Sequence, residues 1–138
     1  MRRRRKGNSW NPRERQGAQS SARRKSLQET FGAAGRSVRL VVLDRCHSPL
    51  QAKALLLHVD CVVGTPGTAP AGLAEAYAIG FFGALGDGES AATAHRHGCA
   101  AVTLYIEGLP ADERPGDDQR PRLDVRRGVD PGELILAR

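Results

Sequence analysis

The chain has 138 residues, 40% hydrophobic and 26% charged, a balance that fits one globular domain and leaves too little for two. Aromatic residues reach only 4%, so a core must rest on Ala, Val, Leu and Ile. The net charge of +6 is split: residues 1–36 hold 11 Lys/Arg and 2 Asp/Glu, a net +9, whereas residues 37–138 hold 10 and 13, a net −3, so the basic character belongs to a tail and not to the candidate globular part.

Residues 1–26 form a basic tail expected to be disordered, rich in Arg, Ser, Gln and Gly with neither a helical nor a strand period. Its simplest reading is a solvated charge run. The sharper reading is a nucleic-acid arm, but Trp10 is the only aromatic residue before Phe31, so no stacking platform is evident and nucleic acid is not the expected partner. Met1-Arg2-Arg3-Arg4-Arg5-Lys6 has the charge of a signal-peptide start, yet no apolar stretch follows it. The longest strongly apolar window, Ala74 to Leu85, is too short to span a membrane. A soluble cytoplasmic protein is therefore expected. Cys46, Cys61 and Cys99 are widely spaced with no Cys-x-x-Cys pair, which excludes a disulfide scaffold and fits a reducing compartment.

The ordered region is expected over 27–138. Leu27, Phe31 and Ala34 have helical spacing up to Gly35. Ser37 to Leu43 is a β-branched run ending in a continuous apolar block, the pattern of a parallel strand buried on both faces. Asp44-Arg45-Cys46-His47-Ser48-Pro49 reads as a polar turn, with Ser48 as N-cap and Pro49 at the first helical position. The following helix is expected from about Pro49 to His58, with Leu50, Ala54 and Leu57 facing the sheet. Val59 to Gly64 is a second buried strand, which makes a βαβ unit with parallel strands. Two Ala-rich helices follow, over 71–85 and 90–107, separated by Gly86-Asp87-Gly88. Residues 108–120 read as an exposed loop, and Arg122–Val125 and Leu134–Leu136 as short terminal strands. The expected fold class is thus α/β, a partial three-layer fold around a parallel sheet. Two parallel strands need more sheet and cover on both faces, so the chain reads as the C-terminal half of a larger domain.

Cys46 is the candidate catalytic residue. It follows a parallel strand at the end where open α/β sheets place their sites, and it precedes a helix N-terminus whose dipole favours a thiolate. A thiolate is the form that attacks a carbonyl. Asp44 can place a carboxylate beside the same cleft. The bland alternative is an inert, buried Cys.

From Val38 to Leu57 the sequence resembles the nucleophile strand and helix of CHAT domains, bacterial caspase-like modules. The resemblance continues in His58 to Gly64, Ala84 to Gly88, Glu107-Gly108-Leu109-Pro110 and Arg127-Gly128-Val129-Asp130-Pro131, and so covers residues 27–138. It implies a caspase–hemoglobinase fold and a Cys–His dyad peptidase acting on a protein or peptide substrate. Cys46 matches the nucleophile, and Asp44 matches the residue that lines the pocket for the side chain before the scissile bond. Asp-x-Cys-His-Ser goes with cleavage after Arg or Lys in metacaspases, and Asp44-Arg45-Cys46-His47-Ser48 fits it, although Arg45 beside Asp44 is able to neutralise it.

One departure is large. The family's dyad His lies in a Gly-His-Gly-like turn well before the Cys, and no His precedes His47 here. The resemblance therefore implies a truncated or mis-started CHAT protein with its nucleophile and without its base, inactive alone. The alternatives are a non-enzymatic interaction module that forms a homo- or hetero-oligomer, and non-specific nucleic-acid binding through the tail.

No cofactor is implied. His95 and Cys99 lie one helical turn apart with His97 pointing elsewhere, and two ligands are too few for a structural zinc site, so a partly buried Cys beside two exposed His is expected and no metal. The glycines at 80, 83, 86 and 88 follow a helical pattern, not a strand, and read as a helix stop instead of a phosphate loop. Asp112, Glu113, Asp117 and Asp118 read as a solvated acidic run.

Overall fold

Two apolar blocks lie on either side of a Ser-Pro helix start, and they pair in parallel. The structure, a computed structural model, describes residues 38–136. The expected tail over 1–26 and the expected helix ending at Gly35 lie outside the described residues. Strand β1 (Leu40–His47) leads through Ser48 into helix α1 (Pro49–Leu55) and then strand β2 (Cys61–Pro66). Helices α2 (Ala71–Gly86) and α3 (Ala91–Glu107) follow, then two short 3-10 turns and strand β3 (Arg122–Val125).

The described residues form an α/β fold with a three-stranded sheet in the order β1-β2-β3. β1 and β2 are parallel, with Leu40 opposite Cys61 and Leu43 opposite Gly64. β3 runs antiparallel to β2, with Cys61 opposite Val125 and Gly64 opposite Arg122. The sheet is therefore mixed, not wholly parallel as expected. The physical reason is the short path: the chain returns from α3 through exposed turns and lays a four-residue strand on the free edge of β2.

Strand alternation sends side chains to two cores. Leu40, Val42, Cys61, Val63, Leu123 and Val125 pack with Leu73, Tyr77, Phe81, Val102 and Ile106 of α2 and α3. Val41, Leu43 and Val62 pack with Ala52 and Leu55 of α1. Helices thus cover both faces, and Cys61, Val62 and Val63 are completely buried, as a central strand demands.

The sequence misjudges three details. α1 stops at Leu55, and Leu50 and Leu57 are exposed while Gln51, Ala52 and Leu55 point inward. The Ser48 cap fixes the helix phase: Ser48 Oγ accepts from Gln51 N at 3.1 Å, and the inward row then runs 51, 52, 55 and on to Val59. Leu134 to Leu136 is no strand. Leu134 is instead buried against the α2–α3 core, and its carbonyl accepts from Ala91 N at 2.8 Å, satisfying one of the open N–H groups that begin α3. Pro131 O takes Ala92 N in the same way at 3.0 Å.

α2 and α3 meet through glycines. A Cβ on Gly80 would stand 2.7 Å from His97 O and 3.0 Å from Gly98 Cα. A Cβ on Gly83 would meet nothing within 4 Å. The two positions share one helix, so they separate helix propensity from packing. Gly83→Ala is expected to raise stability by about 0.5–1 kcal/mol through propensity alone. Gly80→Ala gains the same propensity but must push two backbones apart, and a net loss of about 1–2 kcal/mol is expected. Urea denaturation of both variants checks the opposite signs.

Candidate cysteine site at the end of the first strand

The chemistry expected of Cys46 depends on how β1 ends. From Leu43 to His47 the strand takes four steps while its partner takes two, from Gly64 to Pro66. A bulge absorbs the surplus. Arg45 sits in it with φ 55, in the left-handed region that a non-glycine residue adopts only under constraint. Two bonds hold it: Arg45 N donates to Thr65 Oγ1 at 2.9 Å, and Arg45 Nε donates to Ala69 O at 3.0 Å. The stretch expected as a polar turn is thus the irregular end of β1, which closes only when His47 pairs opposite Pro66. Cys46 lies inside this end, two residues before the N-cap of α1, and not beyond the strand.

The bulge also separates the two candidate residues. Cys46 is half-buried, a thiol in no disulfide, and packs against the α1-side core with Val41 and Leu43. Asp44 is exposed and lines a cavity of about 70 Å³ with Val42, Thr65, Tyr77 and Phe82 toward α2. The guanidinium of Arg45, able by its position in the sequence to neutralise Asp44, donates through Nε to Ala69 O.

His47 is the residue that sequence reasoning passed over. It is buried, and its Nε2 lies 2.6 Å from Asp124 Oδ2 on β3, 77 residues away in the chain. The bond ties the end of β1 to the edge strand. Asp124 alone in a predicted strand gave no signal of a partner. The one signal in the sequence was an alternating Leu-Asp-Val, which puts the carboxylate opposite in sense to its apolar neighbours.

A second Cys–His contact lies on α3. His95 Nε2 is 3.4 Å from Cys99 Sγ, and His95 Nδ1 is 2.8 Å from Tyr77 Oη. His97 is exposed as expected, but His95 is half-buried, because its ring also meets Tyr77 edge-on. Burial lowers the His95 pKa against the opposing charge of Asp124, and burial raises the Cys99 thiol against the opposing charge of Arg120. A neutral ring that accepts S–H from Cys99 at Nε2 donates from Nδ1 to Tyr77 Oη. Burial likewise pushes the Cys61 thiol up to about 12, with Asp124 and Asp60 adding to it, and raises Tyr77 well above the usual phenol range. Among the described residues no group of three or more His, Cys, Asp or Glu is placed to hold a metal ion. No described helix is long and apolar enough to cross a membrane.

No protein-family model and no curated protein matches the chain.

The buried thiol has a consequence for pH. Unfolded Cys titrates near about 8.5, whereas folded Cys61 holds its proton to about 12. Between these values the unfolded state binds fewer protons, so stability falls as pH rises. The melting temperature is expected to drop steadily from about pH 9 upward. Cys61→Ala is expected to start lower, through lost packing, and to show a shallower decline. Calorimetric scans across that range check the difference in slope.

Proposed function

We propose that the chain is related to the CHAT-type caspase-like cysteine peptidases, that Cys46 holds the nucleophile position, and that the chain does not cleave peptides by itself. The observation that supports this most is the local order at the end of β1: a buried parallel strand, a bulge around Arg45, a half-buried thiol, and a helix capped by Ser48. Such a strand end lies where α/β sheets carry their chemistry.

Asp44 is the specificity residue of this reading. Its carboxylate stands at an aromatic cavity with Tyr77 and Phe82, a setting that favours a cationic Arg or Lys side chain over a neutral one. At about 70 Å³ the cavity is far below the size of ordinary ligand sites.

The absence of activity follows from the histidines. The chain has four, at positions 47, 58, 95 and 97, and none precedes the candidate nucleophile. His47 spends Nε2 on Asp124, and His95 spends its two nitrogens on Tyr77 and Cys99. A neutral thiol needs a base within reach to become a nucleophile. In this reading the base is supplied in trans by a partner chain. β1 offers a place for it: among the described residues β1 pairs with β2 alone, so its other edge carries open backbone groups.

The parent chain and Cys46→Ala, assayed with Arg- and Lys-ended fluorogenic peptides, test the proposal. Both are expected at the same background rate. Cysteine-dependent cleavage by the parent alone would overturn the claim that the base is missing.

A further inference from the structure

The sheet brings three charged residues together at the end opposite Cys46. β1 and β2 are parallel, so their starts lie side by side; β3 is antiparallel, so its finish joins them. Arg39 precedes β1, Asp60 precedes β2 and Arg126 follows β3. Their backbones are linked directly, Asp60 N to Arg39 O at 3.1 Å and Arg126 N to Asp60 O at 2.8 Å. Their side chains converge too. Arg39 Nε reaches Asp60 Oδ2 at 3.3 Å, and Arg126 Nη2 donates to Asp60 Oδ1 at 2.9 Å. A cavity of about 240 Å³ opens here, lined by Val38, Arg39, His58, Asp60 and Arg126.

We propose that this cleft is a binding site for a small oxyanion of the phosphate type. Asp60 takes one N–H from each guanidinium, and each guanidinium carries five. The carboxylate thus fixes both forks in place and leaves most of their donors unused by it. Exposure has the matching order: the Asp60 side chain is 20% exposed, Arg126 32% and Arg39 50%, so the negative group lies deepest and the positive groups face solvent. Two cations against one carboxylate leave a net positive cleft. Fixed guanidinium forks suit an anion with several acceptor oxygens around one centre. The chain's own N-terminal 36 residues, at +9, carry the wrong sign to fill it.

Nitrogen-15 NMR of the full chain, titrated with inorganic phosphate at an ionic strength held constant with chloride, tests the site. Saturable shifts are expected at Arg39, His58, Asp60 and Arg126. Arg39→Gln keeps a half-exposed position filled and is expected to retain the dispersed spectrum while weakening binding by about tenfold or more. Adenosine monophosphate in a second titration separates the sources. Equal affinity through the same four residues assigns the site to the free ion, and tighter binding assigns it to phosphate carried on a larger ligand. Shifts confined to residues 1–36, shifts that rise without saturating, or affinity unchanged in a folded Arg39→Gln overturn the proposal.

Discussion

Gly64 has no room for a side chain. A Cβ there would fall 2.2 Å from Leu43 O on the neighbouring strand. This close approach pins β2 against β1 with Leu43 opposite Gly64, and a slip of one residue would bring Val63 or Thr65 to the same place. It also sets the path of β1 beyond Leu43. The next matched pair is His47 with Pro66, so Asp44, Arg45 and Cys46 stand against Thr65 alone and the strand must bulge. The position of the candidate nucleophile is therefore a consequence of a missing side chain on another strand.

The bulge decides which neighbours the two candidate residues have. In a regular strand Asp44 and Cys46 share a face. Here the left-handed turn at Arg45 lets Asp44 join the cavity toward α2 while Cys46 joins the core under α1. Thr65 offsets part of this strain through its hydroxyl, and its own burial keeps water from competing for the Arg45 N–H. A motif read as five adjacent letters becomes two environments.

Much of this was legible in the residues. The continuous apolar runs at Val41 and at Val62 gave two buried strands, and Ser48-Pro49 gave a helix start, because these signals are local. Gly86-Asp87-Gly88 marked the end of α2, where Gly88 takes φ 88. The features that escaped depend on distant partners. The inward face of α1 follows from the Ser48 hydrogen bond and not from its Leu residues, so Gln51 is buried and Leu50 is not. The direction of β3 and the placement of Leu134 are set by which backbone groups remain open on β2 and α3. The bond between His47 and Asp124 spans 77 residues, beyond any periodicity.

The titratable groups divide by environment along the same sheet. Next to α2 and α3, burial raises the pKa values of Cys61, Cys99 and Tyr77 and lowers that of His95, so it favours the neutral forms of a Cys, a His and a Tyr in contact. At the open end of the strands, Arg39, Asp60 and Arg126 pair with one another within reach of solvent. Contact between a Cys and a His is thus not enough to make a nucleophile. Cys99 has the imidazole but lies where charge separation is costly. A reactive thiolate needs the base and a polar setting at one place, and at Cys99 the first is present without the second.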